Sequence, residues 1–461
     1  MERDRQLSTL LLHDLTQGSI PKHILRMAAP LAIGMIFQTL YFLVDLFFVA
    51  QLGDAALAGV SAAGIVQFII LALTQVLGVG TMVLIAHAAG RKDQTDANLI
   101  FNQSLVLAAL AAAGTLVFGY TLGPTYIGTI AADAETTAAG VTYFFWFLPA
   151  LALQFALISM GSALRGTGIT KPTMIVQMIS VLVNAALAPV FIAGWGTGRP
   201  MGVAGAGLAS TIAVAVGVFL LLRYFVKLEH YVRFERALFR PQFATWARML
   251  KIGIPAGAEF ALMFVSIGTI YWLVRDQGAA AQAGFGVGSR VMQAVFLPAM
   301  AIAFAAAPIA GQNVAAGLPD RARETFSSAI VMGSVLMMSL TLLCQIRPDW
   351  LVHWFSSDAA VLAVAAQFLA IVSWNFVASG IVFTCSGMFQ ALGNTIPTVI
   401  SSATRLGVWI VPAVWVTSRP DFQLRQLWYV GVGATTVHAL FALWLLRREV
   451  SKRRDLALVP A

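Results

Sequence analysis

Long apolar runs separated by short polar stretches recur twelve times along this chain. They lie near 24–51, 55–86, 97–121, 137–164, 171–193, 202–226, 246–274, 279–311, 323–346, 360–390, 396–417 and 427–446. Crossing the hydrocarbon layer takes ~20 apolar residues in a helix, and each run is long enough. The runs are continuous, whereas barrel strands show alternation over ~10-residue segments. The pattern therefore predicts an all-α polytopic membrane protein with twelve transmembrane helices. No loop between the runs is large enough to hold a soluble domain, so any chemistry belongs inside the helix bundle.

Composition agrees with this reading. The chain has 461 residues, of which 59% are hydrophobic and 11% charged. A soluble domain carries about 25% charged residues. The N-terminal stretch MERDRQLSTLLLHDLTQGSIPKH has no sustained apolar run and no small-residue cleavage site. It reads as a cytoplasmic segment rather than a cleavable leader. Leu7, Leu10, Leu11 and Leu15 fit a short surface helix, and disorder is the open alternative. Cys344 and Cys385 form no CxxC pair and read as small packing residues. Neither a metal nor an organic cofactor is expected.

With the N-terminus placed inside, 22 of the 29 lysines and arginines fall on the inner side and five on the outer side. Arg290 and Arg405 remain within spans. This asymmetry places both termini in the cytoplasm and predicts a multi-pass protein of the cell (inner) membrane. The net charge of +9 is scattered over inner loops, which suits anionic lipid rather than nucleic acid.

Shifting the sequence by 225 positions lays Pro30 on Pro255, Gly53 on Gly278, Gly168 on Gly393 and Pro172–Thr173 on Pro397–Thr398. GTGITKPT and ALGNTIPT thus become equivalent loops. A constant offset over this distance predicts two duplicated six-helix halves in parallel orientation. The expected organisation is a cytoplasmic segment at 1–23, an N-terminal lobe at 24–228, a cytoplasmic linker at 229–245, a C-terminal lobe at 246–446 and a basic tail at 447–461.

Four stretches together resemble the multidrug and toxic compound extrusion (MATE) transporters. They are APLAIGMIFQTLYFLVDLFFVAQLGDAALAG in the first span, GSALRGTGITKPT after the fourth, KIGIPAGAEF opening the second half and APIAGQN at the end of the eighth. The resemblance runs from about Ile24 to Leu446. It implies two pseudo-symmetric six-helix lobes around a central cleft, acting as a monomer. It also implies secondary antiport of small amphiphilic, often cationic, compounds.

The first span poses a specific question: why is Asp45 placed among Val44, Leu46, Phe47 and Phe48? An ionised group at mid-bilayer costs on the order of 3 kcal/mol or more. Burial penalises the ionised form, so a shielded Asp45 is able to take up and release a proton. Gln38, Tyr41 and Asp45 stand at i, i+3 and i+7, on one helical face. The resemblance brings Asn184 of the fifth span towards this aspartate and implies that Tyr143 and Ser210 line the same cavity. At the 225 offset, Gln38 matches Met263, Tyr41 matches Ser266, Asp45 matches Ile270 and Asn184 matches Trp409. The polar cluster therefore belongs to one half and the scaffold to both. Family members with this site often carry a second aspartate where Ala188 stands here. One carboxylate suits a single proton as coupling ion, and a sodium ion at Asp45 is the alternative.

In the second half, Glu259, Arg290 and Arg405 all lie within spans. An ion pair of Glu259 with one or both arginines is expected, and a substrate or proton role for Glu259 is the other reading. Met263 and Arg290 join Glu259 as cavity candidates; Met263 stands where other members of the family have an acid. His87 and Gln312 are equivalent and read as packing or interfacial groups. GFGVGSR and GVAGAG lack the strand and the GK[ST] of a nucleotide loop. No HExxH, paired-aspartate motif or GxSxG with a triad partner supports an enzyme. A flippase for lipid-linked glycans is the rival transport reading, but it expects several cations in the cavity.

Overall fold

The computed structural model describes residues 14–131, 133–229, 231–353 and 358–452. Leu7, Leu10, Leu11 and the tail from residue 453 onwards lie outside the described residues. The helices are α1 (Ile20–Ala50), α2 (Asp54–Gly90), α3 (Gln94–Ile130), α4 (Ala134–Gly166), α5 (Lys171–Ile192), α6 (Val203–Lys227) and α7 (Phe243–Val274). They continue as α8 (Ala279–Ala315), α9 (Pro319–Ile346), α10 (Ala359–Val372), α11 (Asn375–Ala391), α12 (Ile396–Thr417) and α13 (Leu424–Ser451). There is also a one-turn helix at Pro348–Val352, and no strand occurs among the described residues. GFGVGSR lies within α8, as a helix and not a phosphate loop.

Eleven of these helices are long and apolar enough to cross a membrane, and α10 with α11 makes a twelfth, bent by 60°. The single span expected at 360–390 is thus broken at Ser373–Trp374. No proline stands there. Polar groups draw the local carbonyls out of the helix instead. The Thr341 hydroxyl donates to the Ser373 carbonyl at 2.9 Å, and Gln345 Nε2 donates to the Ala370 carbonyl at 2.6 Å. The equivalent position of the first half holds Pro149, inside the continuous helix α4. Apolar side chains such as Phe47, Phe118, Leu182, Val226 and Val331 are exposed, as lipid contact requires. Three arginines assigned to the outer side stack on tryptophans near helix ends: Arg275 on Trp272, Arg347 on Trp350 and Arg419 on Trp415. Such pairs suit a membrane interface.

The duplication is visible in backbone conformation. Left-handed turn residues occur at Gly53 and Gly278 (φ 106° and 91°), Lys92 and Gly317 (58° and 71°), and Gly168 and Gly393 (87° and 69°). Each pair is 225 positions apart. The turns are also bonded alike: the Ile169 amide donates to the Leu164 carbonyl and the Asn394 amide to the Phe389 carbonyl.

The chain forms two compact units. One contains Ile33–Gly257, and the other contains Leu15–Ala32 together with Ala258–Ala461. These limits depart from the lobes expected at 24–228 and 246–446. The beginning of α1 belongs with the second unit, and the linker and the beginning of α7 belong with the first. The two switch points, after Ala32 and after Gly257, are again 225 positions apart and each follows its proline, Pro30 or Pro255, by two residues.

Polar clamps explain the departure. In the first unit, Asn98 and Asn102 on α3 each bond both a donor and an acceptor of the linker. Asn98 accepts from the Arg233 amide and donates to Glu235 Oε1. Asn102 donates to the Arg233 carbonyl and accepts from the Glu235 amide. Gln103 does the same across Leu238, Arg240 and Gln242. Next, α7 approaches α2 so closely that a Cβ on Gly253 would collide with the Val76 carbonyl. In the second unit, Arg321 donates to the carbonyls of Leu15 and Gly18, and Gln312 Oε1 accepts from the Leu15 amide. Leu15 is therefore buried against α8 and α9 rather than lying on a surface helix. Gln312, for which a packing or interfacial role is expected, is fully buried.

Candidate functional site

Four residues, on four helices of the first unit, come together around Asp45. The carboxylate is 7% exposed, and its Oδ2 accepts a hydrogen bond from the Tyr143 hydroxyl of α4 at 3.1 Å. Tyr41, one turn earlier on α1, lies close to Asp45 and to Ser210 of α6. Ser210 Oγ in turn accepts from Asn184 Nδ2 of α5 at 3.2 Å. Asn184 and Ser210 are completely buried. Two acceptors in this cluster receive no hydrogen bond from the protein: Asp45 Oδ1 and Asn184 Oδ1. Ser180 Oγ, one turn before Asn184, is also buried and unbonded.

Local structure sets this geometry. The i, i+4 spacing of Tyr41 and Asp45 puts both on one face of α1. Small residues let the other helices approach: a Cβ on Gly207 of α6 would fall 2.7 Å from the Tyr143 carbonyl oxygen of α4. Ala188, one turn after Asn184, is buried and adds no second carboxylate.

A buried carboxylate with one phenolic donor and one unbonded oxygen can exchange a proton with little rearrangement. The same unbonded oxygens, Asp45 Oδ1 and Asn184 Oδ1, are the type of hard ligand that a sodium ion takes. Among the described residues, no group of three or more histidine, cysteine, aspartate or glutamate side chains could hold a metal ion.

Tyr41, Asp45, Tyr143, Asn184 and Ser210 are thus brought together. Gln38 is not: it is half-buried on α1 and makes no side-chain hydrogen bond to the cluster. Sharing a helical face places it near the stripe, but two turns along α1 from Asp45.

The second unit has a separate cavity of about 110 Å³. Its polar lining is Glu259, Ser266, Ser386, Gln390, Ser402, Arg405 and His438, and Met263 is on its apolar wall. Glu259 Oε1 accepts from the Ser386 hydroxyl at 2.6 Å. The expected ion pair is not formed: Glu259 has no arginine nitrogen within 4.0 Å. Arg290 is exposed on α8 and does not line this cavity. The reason is rotational. Ser289, its neighbour, is buried, so the next position points away. Ser386, Gln390 and His438 were missed as site residues. An imidazole and an amide inside apolar spans are the signal that points to them. Cys344 and Cys385 are buried free thiols.

Membrane-spanning helices, a scaffold duplicated at one offset and buried polar clusters inside the helices together define a polytopic carrier protein. Comparison with known proteins makes this definite. The MatE family model matches residues 30–190 and again 255–415, two stretches separated by the same 225 positions. The chain belongs to the MatE family, a family of transporters rather than enzymes. It is 25% identical over 435 residues to the probable multidrug resistance protein YoeA of Bacillus subtilis (strain 168), covering 93% of each chain. It is 24% identical over 412 residues to the FAD transporter of Shewanella oneidensis, covering 89% of this chain and 90% of that one. Its fold matches a solved outward-facing conformation of a multidrug resistance MATE family transporter of the MOP superfamily. That match has a TM-score of 0.88 and 23% identity, over 97% and 98% of the two chains.

Proposed function

We propose that this protein is a secondary antiporter of the cell (inner) membrane, with both termini in the cytoplasm, that exports small amphiphilic compounds in exchange for protons. The single observation that carries this reading is Asp45: a buried carboxylate on a membrane helix, held at one oxygen by Tyr143 and unbonded at the other. Protonation of Asp45 from outside changes the bonding of α1 to α4 and α6 and releases the compound. Loss of the proton inside resets the carrier between outward- and inward-open states. Tyr41, Ser210 and Asn184 adjust their donors and acceptors as the charge comes and goes.

Energetics allow the coupling. One charge moved through 100 mV supplies ~2.3 kcal/mol, enough for roughly a fifty-fold gradient of a neutral compound. The relatives' names support export of foreign compounds in one case and transport of FAD in the other, so the substrate is read from the chain itself.

The test is the purified protein in liposomes, with pH and sodium gradients imposed separately. The expected result is export driven by the pH gradient in the wild type and none in Asp45→Asn. Export driven by sodium alone would transfer the role of coupling ion to sodium at the same oxygens. Gradient-driven export that survives in Asp45→Asn would overturn the reading.

A further inference from the structure

The cavity of the second unit holds opposed polar groups that do not satisfy one another. Arg405 lines it without an ion pair to Glu259. Gln390 is 3% exposed, and its Oε1 accepts no hydrogen bond. Glu259 accepts a short bond from Ser386 and has Thr398 beside it, and His438 Nε2 is 3.3 Å from Ser401 Oγ. The facing apolar wall is Phe260, Met263, Met300 and Phe304.

A guanidinium in an apolar setting is costly unless a partner meets its donors. Its planar fork matches a carboxylate or phosphate. The carboxamide oxygen of Gln390 is the reverse: buried and lacking a donor. A single head group carrying an acid next to an N–H or O–H satisfies both. Size limits what enters. A cavity of about 110 Å³ is smaller than the ~150 Å³ cavity that holds a benzene ring, and far below the ~300–1,000 Å³ of a drug-sized site. It takes a head group and leaves the body of the molecule outside.

We infer that this cavity is a subsite for the acidic, donor-bearing head of an amphiphile, with Arg405 holding the anion and Gln390 Oε1 accepting from the neighbouring N–H or O–H. The groups are specific to this half. At the 225 offset, Glu259, Gln390, Arg405 and His438 correspond to Gly34, Arg165, Ser180 and Ala213. The inference depends on the exporter reading only for how the compound arrives, and binding can be measured without transport.

The probe is dansylglycine, a fluorescent aromatic sulfonamide with an N–H beside its carboxylate. Its neutral primary amide is the matched control. Binding is titrated on the full-length protein in phosphatidylcholine nanodiscs. The wild type is expected to bind the acid at least about tenfold tighter than the amide. Arg405→Gln is expected to remove that preference, while Arg405→Lys keeps part of it. N-methylation of the sulfonamide should weaken wild-type binding about fivefold and leave Gln390→Leu unaffected. Asp45→Asn, which is expected to stop coupled export, should leave the preference intact, so the two readings fail separately. Discs containing phosphatidylglycerol identify the source of the head group. Loss of dansylglycine binding there assigns the subsite to a lipid phosphate, and retention assigns it to a soluble acid; both keep the acidic specificity. Equal affinity of the wild type for acid and amide would overturn the inference, whether or not Arg405→Gln folds. So would a preference that persists in a folded Arg405→Gln.

Discussion

At matching places in the duplicated scaffold, Asp45 corresponds to Ile270, Tyr143 to Phe368 and Asn184 to Trp409, while Glu259 corresponds to Gly34 and Arg405 to Ser180. The turns that set helix directions are kept in both halves, with positive φ at the same three pairs of positions. The buried polar groups are not kept. One unit holds a carboxylate among hydroxyls and an amide; the other holds both charge signs around a small cavity. Duplication supplied two similar frames, and each acquired its own chemistry. Residues common to both halves belong to the shared frame, and those confined to one half are the ones the proposed functions rest on.

The sharpest break of this comparison is charge removal. Asp45→Asn should abolish pH-driven export in liposomes at normal expression, whereas Glu259→Gln should retain it. If both abolish export equally, the two clusters are not divided as described. A large effect is also expected on the linker clamp. The double change Asn98→Ala with Asn102→Ala removes four hydrogen bonds to residues 233 and 235. At about 1 kcal/mol net each, cleavage of the 231–242 segment by added protease should rise more than a hundredfold. Arg321→Ala loosens the start of α1 instead and should leave that segment protected.

Asn184→Ala should lower export at a fixed gradient by roughly tenfold, about 1.4 kcal/mol, because Ser210 loses its partner while the carboxylate remains. The smallest contrast is between the equivalent glycines Gly59 and Gly284. A Cβ on Gly59 meets backbone alone, the Gly140 amide nitrogen at 2.6 Å and the Thr136 carbonyl oxygen at 2.7 Å, whereas on Gly284 it meets Val364 Cβ at 2.5 Å and the Val361 carbonyl oxygen only at 3.0 Å. Backbone yields less than a side chain, so Gly59→Ala should cost about 2 kcal/mol and Gly284→Ala about 1 kcal/mol. Thermal unfolding in detergent would read the difference.

Most of the frame was legible because lipid enforces it. Apolar runs of sufficient length must be helices, and the glycines and prolines needed at turns show the repeat directly. Asp45 was legible for the same reason, since a carboxylate among phenylalanines has no cheap structural excuse. Gln38 misled because helical spacing gives a face and not a partner. The break at Ser373–Trp374 was hidden because hydroxyl and amide side chains, and no proline, make it. The Glu259 ion pair failed because charge complementarity along a sequence says nothing about how each helix is rotated about its axis. The exchange of helix beginnings was invisible, because Asn98 and Asn102 look like ordinary amides until the linker lies across them.

That exchange bears on how the chain is made. Residues 15–18 are gripped by Arg321, so this segment waits for some 300 further residues to be synthesised before its anchor exists. The first unit, likewise, lacks its last segment until the linker and the start of α7 have left the ribosome. Expressing either repeat alone would leave a unit missing a piece that only its sibling encodes. Co-expressed fragments cut near residue 228 should assemble only by finding one another.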